Sequence, residues 1–556
     1  MSTLLASLNP STGWLGRAAL LAAVAALFLI TVFRKSGITR HGKPLPTPPN
    51  TLPLAGNGLV FLQARQKLFA WFVKCERIFG RETFELYVPS LHPGVVLNDP
   101  KNLDFVLKHE SLFTKGDFVK QPLWDLFGHG IVNADGELWR VQRKAGLSFL
   151  NNKNLQVLTD VALPQYLGQS IRHLKAQSDA GRQTDLQAVF HEITSQLMGK
   201  MAYNMEMHAD DDMSVAFDYA SGVCAKRVQN PLWRVKEVFF GQKMRKSVGI
   251  VNAFGKRIVD SAVQDRKQGT SLPTAENDKL DQVSGSLIQS LLDAIGDEKI
   301  VADAALNYLS AGRDTTAQSL TWTFYLLLQN RYVYTKVRQE VQALLNISSS
   351  LECLAASDPA PSSASSVPSD LGSRISLCTP AALPYTHAVF LEALRLFPPI
   401  PFEIRQAQAA TTLPDGTFLP ASSILVWCPW SMHRSKLTWG DDAETFRPER
   451  WLTKQPDSTS SPGHGTAPKV ISRSVSEFTV FSGGPRTCLG KKMAEVIGVQ
   501  AIAAMAWTFD FVPAYQAQER TSKSSLTLPM DGGLPVFVKV RNRRSRSTMN
   551  SGDEEI

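Results

Sequence analysis

Phe481-Ser482-Gly483-Gly484-Pro485-Arg486-Thr487-Cys488-Leu489-Gly490 is the stretch whose reading decides the fold. One cysteine stands in a turn rich in glycine and proline, and an apolar helical pattern (Met493, Val496, Ile497, Ala501) follows directly behind it. Such glycines let backbone amides approach a buried atom closely. A thiolate at a helix N-terminus is stabilised by the helix dipole and by nearby cations, of which Arg486 is the obvious one. The expectation is a protected, anionic sulfur that ligates a metal. For Cys-x-Gly alone, a glycine loop with one buried thiol is the plainer alternative.

The spacing of Phe481, Gly484, Arg486, Cys488 and Gly490 resembles the haem loop of the cytochrome P-450 superfamily, the haem-thiolate monooxygenases. The resemblance implies haem b with Cys488 as axial thiolate, and Phe481, Arg486 and Gly490 around the cofactor. Three further motifs carry it. In Asp135-Gly136-Glu137-Leu138-Trp139-Arg140-Val141-Gln142-Arg143-Lys144, acids open a helix on which Trp139 and Arg143 share a face. Alone, that is a surface cation–π pair; in the family such residues donate to a haem propionate, an anion that needs fixed cations.

Ala304 to Thr316 lies inside a helical pattern reaching about Leu328, and contains Gly312-Arg313-Asp314-Thr315-Thr316. Glycine costs a helix interior about 1 kcal/mol against alanine and threonine several tenths. Threonine hydroxyls bond the carbonyl one turn back and loosen the ladder. The turn resembles the family's oxygen-binding groove, which implies that Thr315 holds the distal hydroxyl and Asp314 feeds protons toward it. Glu392 and Arg395, in Phe390-Leu391-Glu392-Ala393-Leu394-Arg395-Leu396-Phe397-Pro398-Pro399, share a helix face among apolar neighbours, so the pair is expected to be buried and to need further partners. The resemblance makes Arg450 the third member of a structural triad and Arg405 another propionate donor. His433 is read as a satisfied structural histidine.

The totals agree with one large domain. The 556 residues are 44% hydrophobic and 20% charged, enough for a sizeable core. Six scattered cysteines without a Cys-x-x-Cys pair point to a reducing compartment. A net charge of +9 without a basic–aromatic stripe excludes nucleic acid as the inferred partner.

Ala18 to Phe33 is uncharged and apolar, and Arg34, Lys35, Arg40 and Lys43 stand behind it. A span needs about 20 apolar residues, and the basic flank orients the rest of the chain toward the cytosol. The expected organisation is a membrane anchor with basic stop over 1–43, a proline-rich hinge over 44–58 and a catalytic domain over 59–540. Low-complexity insertions are read at 348–376 and 453–476, and a disordered tail at 541–556. Short strands are expected between Phe84 and Val96, amphipathic helices from Asp160 to Lys279, and Phe239 and Phe240 in the core.

The resemblance implies the mainly α P-450 fold with a small β-rich portion, behind an N-terminal transmembrane helix of the endoplasmic reticulum. The implied reaction is monooxygenation with O2, with electrons from NADPH through a separate reductase that docks on Arg140, Lys144, Lys491 and Lys492. The run Phe113 to Lys144, with Ala311 to Thr316, is most similar to fungal alkane and fatty-acid hydroxylases and their plant counterparts, which oxidise a chain at or near its terminal methyl. Phe113, Phe118, Leu123, Trp124 and Phe127 are the expected apolar lid. Alternatives are a tailoring hydroxylase of a lipid-like secondary metabolite, an isomerase or dehydratase of the same fold, a haem sensor or carrier, and, were the cysteine loop coincidental, a membrane-anchored helical scaffold.

Overall fold

Apolar residues at helical spacing carry most of the chain into helices, while runs rich in β-branched residues are short and give only short strands. The computed structural model describes residues 36–541 apart from 54, 89–90, 231, 268–278, 356–371, 454–467 and 517–518, together with 16–19, 21–23 and 25. The principal helices in chain order are α1 (Arg65–Phe79), α2 (Gly116–Phe127), α3 (Gly136–Phe149), α4 (Leu186–Tyr203), α5 (Asp212–Gln229), α6 (Trp233–Phe240), α7 (Glu298–Gln329), α8 (Arg331–Ala355), α9 (Pro384–Leu396) and α10 (Lys491–Thr508).

The helix α7 is the axis of the core. The Asp297 carboxylate caps it by accepting from the Ile300 amide at 3.0 Å. Its 32 residues, about 48 Å of helix, are buried on nearly every side. A helix apolar on one stripe packs one neighbour, whereas one buried all round packs several; α4, α9 and α10 lie against it. Pro384 opens α9, and Pro398 and Pro399 follow its end.

The strands are β1 (Thr39–Arg40), β2 (Lys43–Pro44), β3 (Phe84–Leu86), β4 (Gly94–Val96), β5 (Phe113–Thr114), β6 (Gln183–Asp185), β7 (Glu403–Ala407), β8 (Thr411–Thr412), β9 (Thr417–Leu419), β10 (Ile424–Trp427), β11 (Phe509–Pro513) and β12 (Pro535–Val540). Among the described residues they form three sheets, ordered β2-β1-β9-β8, β3-β4-β10-β7-β5 and β11-β12-β6. The pair β10–β4 is parallel, with Leu425 opposite Val95, and β7 crosses antiparallel to β10, with Arg405 opposite Leu425. That register fixes Arg405 in the wall of the central cavity.

Several expectations change. The folded body begins before residue 59: β1 pairs with β9, Ile38 and Leu45 are buried, and Arg40 binds Glu82 at 2.7 Å and Asp415 at 3.2 Å. Arg40 and Lys43 are therefore strand residues of the body. The apolar run 18–33 lies mostly outside the described residues; its described positions are helical. Among the described residues no helix is long and apolar enough to cross a membrane. Phe239 and Phe240 are exposed, at 75% and 76%, because α6 is a short helix with no buried residue. The tract read from 348 starts as helix: α8 continues to Ala355, since serine lowers helix propensity only slightly and the first proline is Pro359. Most of the rest of that tract, 454–467 and the tail after 541 lie outside the described residues.

Candidate active site

One cavity of about 780 Å³ opens between α7, α10, α2 and the β7–β10–β4 side of the five-stranded sheet. Cys488, Gly490, Phe481, Arg486, Trp139, Arg143, Arg405, Asp314 and Thr315 all line it.

The cysteine loop is built by its glycines and by backbone bonds. Gly484 has φ +61°, and a Cβ there would come within 2.1 Å of the Leu107 carbonyl oxygen, so only glycine fits. The Cys488 amide donates to the Phe481 carbonyl at 2.7 Å. Gly490 caps α10, and a Cβ added there would meet nothing within 4 Å. Cys488 is exposed, unlike the other described cysteines, and its accessible side is the cavity.

The thiol itself corrects one expectation. Burial pushes its pKa up, while the Gly490 amide, Arg143 and the Lys491 amide pull the other way. Arg143 is the cation that acts on the sulfur, because Arg486 turns to Asp135 at 2.6 Å and Glu110 at 3.3 Å. A bound metal ion, which deprotonates a coordinating thiol, would offset the effect of burial.

Trp139 lies between two guanidinium groups, 5.6 Å from Arg143 and 4.5 Å from Arg486. Arg143 Nη1 also donates to the Thr487 carbonyl at 2.9 Å, which ties α3 to the cysteine loop. Asp135 precedes α3 without capping it, since its carboxylate meets Arg486 and, at 2.6 Å, Lys120.

Lys115 was not singled out by the sequence. It lines the cavity, and burial, Arg405 and Arg486 push its pKa down to about 7. The available signal was Gly116 behind it: φ there is +66°, and a Cβ would strike the Gln406 side chain at 1.9 Å. That glycine sets α2 against β7 and with it the position of Lys115. Arg405 is 5% exposed; burial lowers its pKa, and its nearest carboxylate, Glu403, is 3.8 Å away.

Across the α7 turn, exposure returns at Ala311, Gly312 and Thr315 in an otherwise buried helix, and these residues line the cavity. The Thr315 hydroxyl donates to the Ala311 carbonyl at 2.6 Å, and Ser319 repeats this to Thr315 at 2.6 Å. Helix α7 runs without a break through this turn. Gly312 has another reason: a Cβ would lie 2.6 Å from Met198 Sδ, so it lets α4 pack closely. Asp314 is held by Arg313 Nε at 2.6 Å, and Arg313 Nη2 binds Asp218 at 2.8 Å. Asp218 is half exposed. Charged side chains thus run from the cavity wall to the surface.

Beneath the cysteine loop, Glu392 accepts from Arg395 Nε and Nη2, both at 2.8 Å, from Arg450 Nε at 2.9 Å and from Trp451 Nε1 at 2.9 Å. Arg395 adds the carbonyls of His433 and Ala443, both at 2.5 Å. His433 is fully buried, and its Nε2 accepts from the Thr479 amide at 3.1 Å; burial and Arg395 push its pKa down to about 3. None of these side chains lines the cavity. Of the expected lid, Phe118, Leu123 and Phe127 line the cavity. Phe113 is instead a strand residue paired with Ala407, and Trp124 is 45% exposed.

The donor set suits a haem. Among the described residues no three His, Cys, Asp or Glu side chains gather to hold a bare ion, so Cys488 would be the single protein ligand of a metal carried by an organic group. Open space lies over Gly490. Lys115 and Arg405 are buried cations with little compensation, which is what a group bearing carboxylates requires.

Comparison with known proteins agrees. The Cytochrome P450 family model matches residues 46–534. The chain is similar to cytochrome P450 94B1 of Arabidopsis thaliana, 28% identical over 90% of this chain and 92% of the relative. It is similar to cytochrome P450 704B1 of the same plant, 29% identical over 90% and 97%, and to cytochrome P450 94A1 of Vicia sativa, 27% identical over 89% and 91%. A match that runs from the proline-rich start to the last sheet, across every motif around the cavity, makes this chain a member of the cytochrome P450 family and a monooxygenase.

Proposed function

We propose that the protein hydroxylates a long apolar chain, a fatty acid or an alkane, at or near its terminal methyl. One observation carries this reading: a single cavity of about 780 Å³, walled largely by apolar residues, is shared by Cys488 and the Thr315 turn. When bound, the haem supplies oxygen activation, so that O2, two electrons and two protons convert R–H to R–OH and water. The chain's own residues do the rest. Cys488 would hold the metal, while Lys115, Arg405 and the Trp139–Arg143 pair would hold the propionates. Phe118, Leu123 and Phe127 exclude water. The Thr315 hydroxyl holds a proton at the cavity wall, and Asp314, through Arg313 and Asp218, links that wall to solvent.

The same reading sets the chain on the endoplasmic reticulum membrane with the catalytic body in the cytosol. The apolar run 18–33 with its basic flank supports this, as does the exposed apolar surface of α6, with Val235, Val238, Phe239 and Phe240. Electrons come from NADPH through a separate reductase; Arg140, Lys144, Lys491 and Lys492, all exposed near the cysteine loop, form the cationic docking face. The test is to incubate the membrane-bound protein and reductase with a panel of fatty acids, alkanes and ring compounds. Hydroxylation at or next to the terminal methyl is expected, and NADPH-dependent turnover confined to ring compounds would overturn the reading.

A further inference from the structure

Arg65, the first residue of α1, is a buried cation with no acid beside it. It is 7% exposed and lines the cavity. Nη1 donates to the carbonyls of Lys523 at 3.0 Å and Ser525 at 2.9 Å, and the guanidinium lies 5.4 Å from the Phe69 ring centroid. Among the described residues the remaining N–H donors make no hydrogen bond and no carboxylate is in ion-pair range. Burial pulls its pKa down to about 9, and the one opposing neighbour is the Cys428 thiol.

The contrast with Arg227, in the same wall, is direct. Arg227 binds Asp125 at 2.8 Å and Glu237 at 2.6 Å and lies 4.5 Å from the Trp233 ring, so its charge is neutralised. Arg65 is also separate from the cations near the cysteine loop. Arg405 and Arg486 act on Lys115, and Arg486 acts on Arg405, whereas none of the three acts on Arg65. Ser525, whose carbonyl accepts from Arg65, also meets Ser221, their hydroxyls 2.9 Å apart, and Ser221, Ser524, Ser525 and Thr527 line the cavity. Leu68, Phe118 and Phe402 make other parts of the wall apolar.

A desolvated guanidinium with free N–H donors favours a planar anion that takes two of them at once. We propose that Arg65 is the counter-ion of the substrate head group, binding the carboxylate of a long-chain fatty acid whose chain follows the apolar wall toward Cys488. The inference rests on the reading of apolar-chain hydroxylation and narrows it to acids, since a neutral chain leaves the buried charge uncompensated.

The test is binding without turnover. Purified haem-loaded protein is titrated by calorimetry with dodecanoate and with 1-dodecanol. A charge-assisted contact predicts that the acid binds about 10- to 100-fold more tightly. Arg65→Met removes that preference and leaves alcohol binding unchanged, and Arg65→Lys keeps part of it. Should Arg65→Met fail to load haem, the partial loss in Arg65→Lys decides. Equal affinity of the wild type for acid and alcohol overturns the proposal, as does an Arg65→Met protein that keeps the preference. So does one that weakens both ligands alike, which would make Arg65 only a clamp on the 523–527 loop. If the preference holds and neither compound is hydroxylated, the anion site stands and the oxidation reading fails.

Discussion

Two groups of buried charge behave in opposite ways. Around Glu392 every charge meets its opposite: two arginines and an indole share one carboxylate, and the remaining arginine donors reach carbonyls. Around the cavity, Lys115 and Arg405 are buried; Glu403 stands 3.8 Å from Arg405, and Asp135 is already claimed by Arg486 and Lys120. Desolvation exceeds attraction for a poorly matched buried ion, so a charge left so is stable only beside something the protein does not itself contain. The first group is architecture under the cysteine loop, and the second is a receptor for a carboxylate-bearing cofactor.

Breaking the first group should have the largest effect. Glu392→Ala leaves Arg395 without a carboxylate and Arg450 with Asp442 alone, and is expected to cost about 3–5 kcal/mol, enough to abolish accumulation of haem-loaded protein; carbonyl absorbance per milligram measures it. Acid tests the same architecture through His433, and the Arg313–Asp314 cluster through His191, which lies 4.0 Å from Asp314. Burial lowers His433 to about 3 and His191 to about 4, from 6.5. Below pH 6.5 the unfolded chain takes up protons that the folded chain refuses, so stability is full above 6.5 and falls as the pH drops toward 4. A loss of a few kcal/mol between pH 7 and pH 4 is expected in urea melts. His433→Asn should flatten part of that slope.

The second group should respond with opposite signs. Lys115→Met removes a charge that the cofactor compensates, so haem retention should weaken about 10-fold in transfer to apomyoglobin. Stability of protein stripped of haem should stay level or rise. Equal losses in both states would make Lys115 part of the architecture instead. Thr315→Ala sharpens the contrast further, since it touches neither charge group. Removing its bond to Ala311 should raise helix stability by a few tenths of a kcal/mol, while hydroxylated product per NADPH falls about 10-fold or more and hydrogen peroxide replaces it.

The difference between the groups also explains what could be read from the sequence. Glu392 and Arg395 are three residues apart on one helix among apolar neighbours, so a buried pair in need of partners was visible locally. The cysteine loop was visible too, because its glycines and its helix are consecutive. The cavity cations come from 115, 143, 405 and 486 and meet only through sheet register and the turn at Gly116. Nothing in the local pattern announces Lys115. The Arg486 error has the same source: proximity in sequence suggested Cys488, whereas Asp135 and Glu110, far away in sequence, claim the side chain. Phe239 and Phe240 failed because hydrophobicity alone does not say which apolar residues find a neighbour.

Cys488 as the metal ligand is the central claim, and the carbonyl difference spectrum of the reduced protein tests it most directly. The wild type should show the thiolate signature, Cys75→Ala and Cys353→Ala should keep it, and Cys488→Ala should lose it together with activity. A Cys488→Ala protein that retained the signature would contradict the assignment and the reading of the cavity built on it.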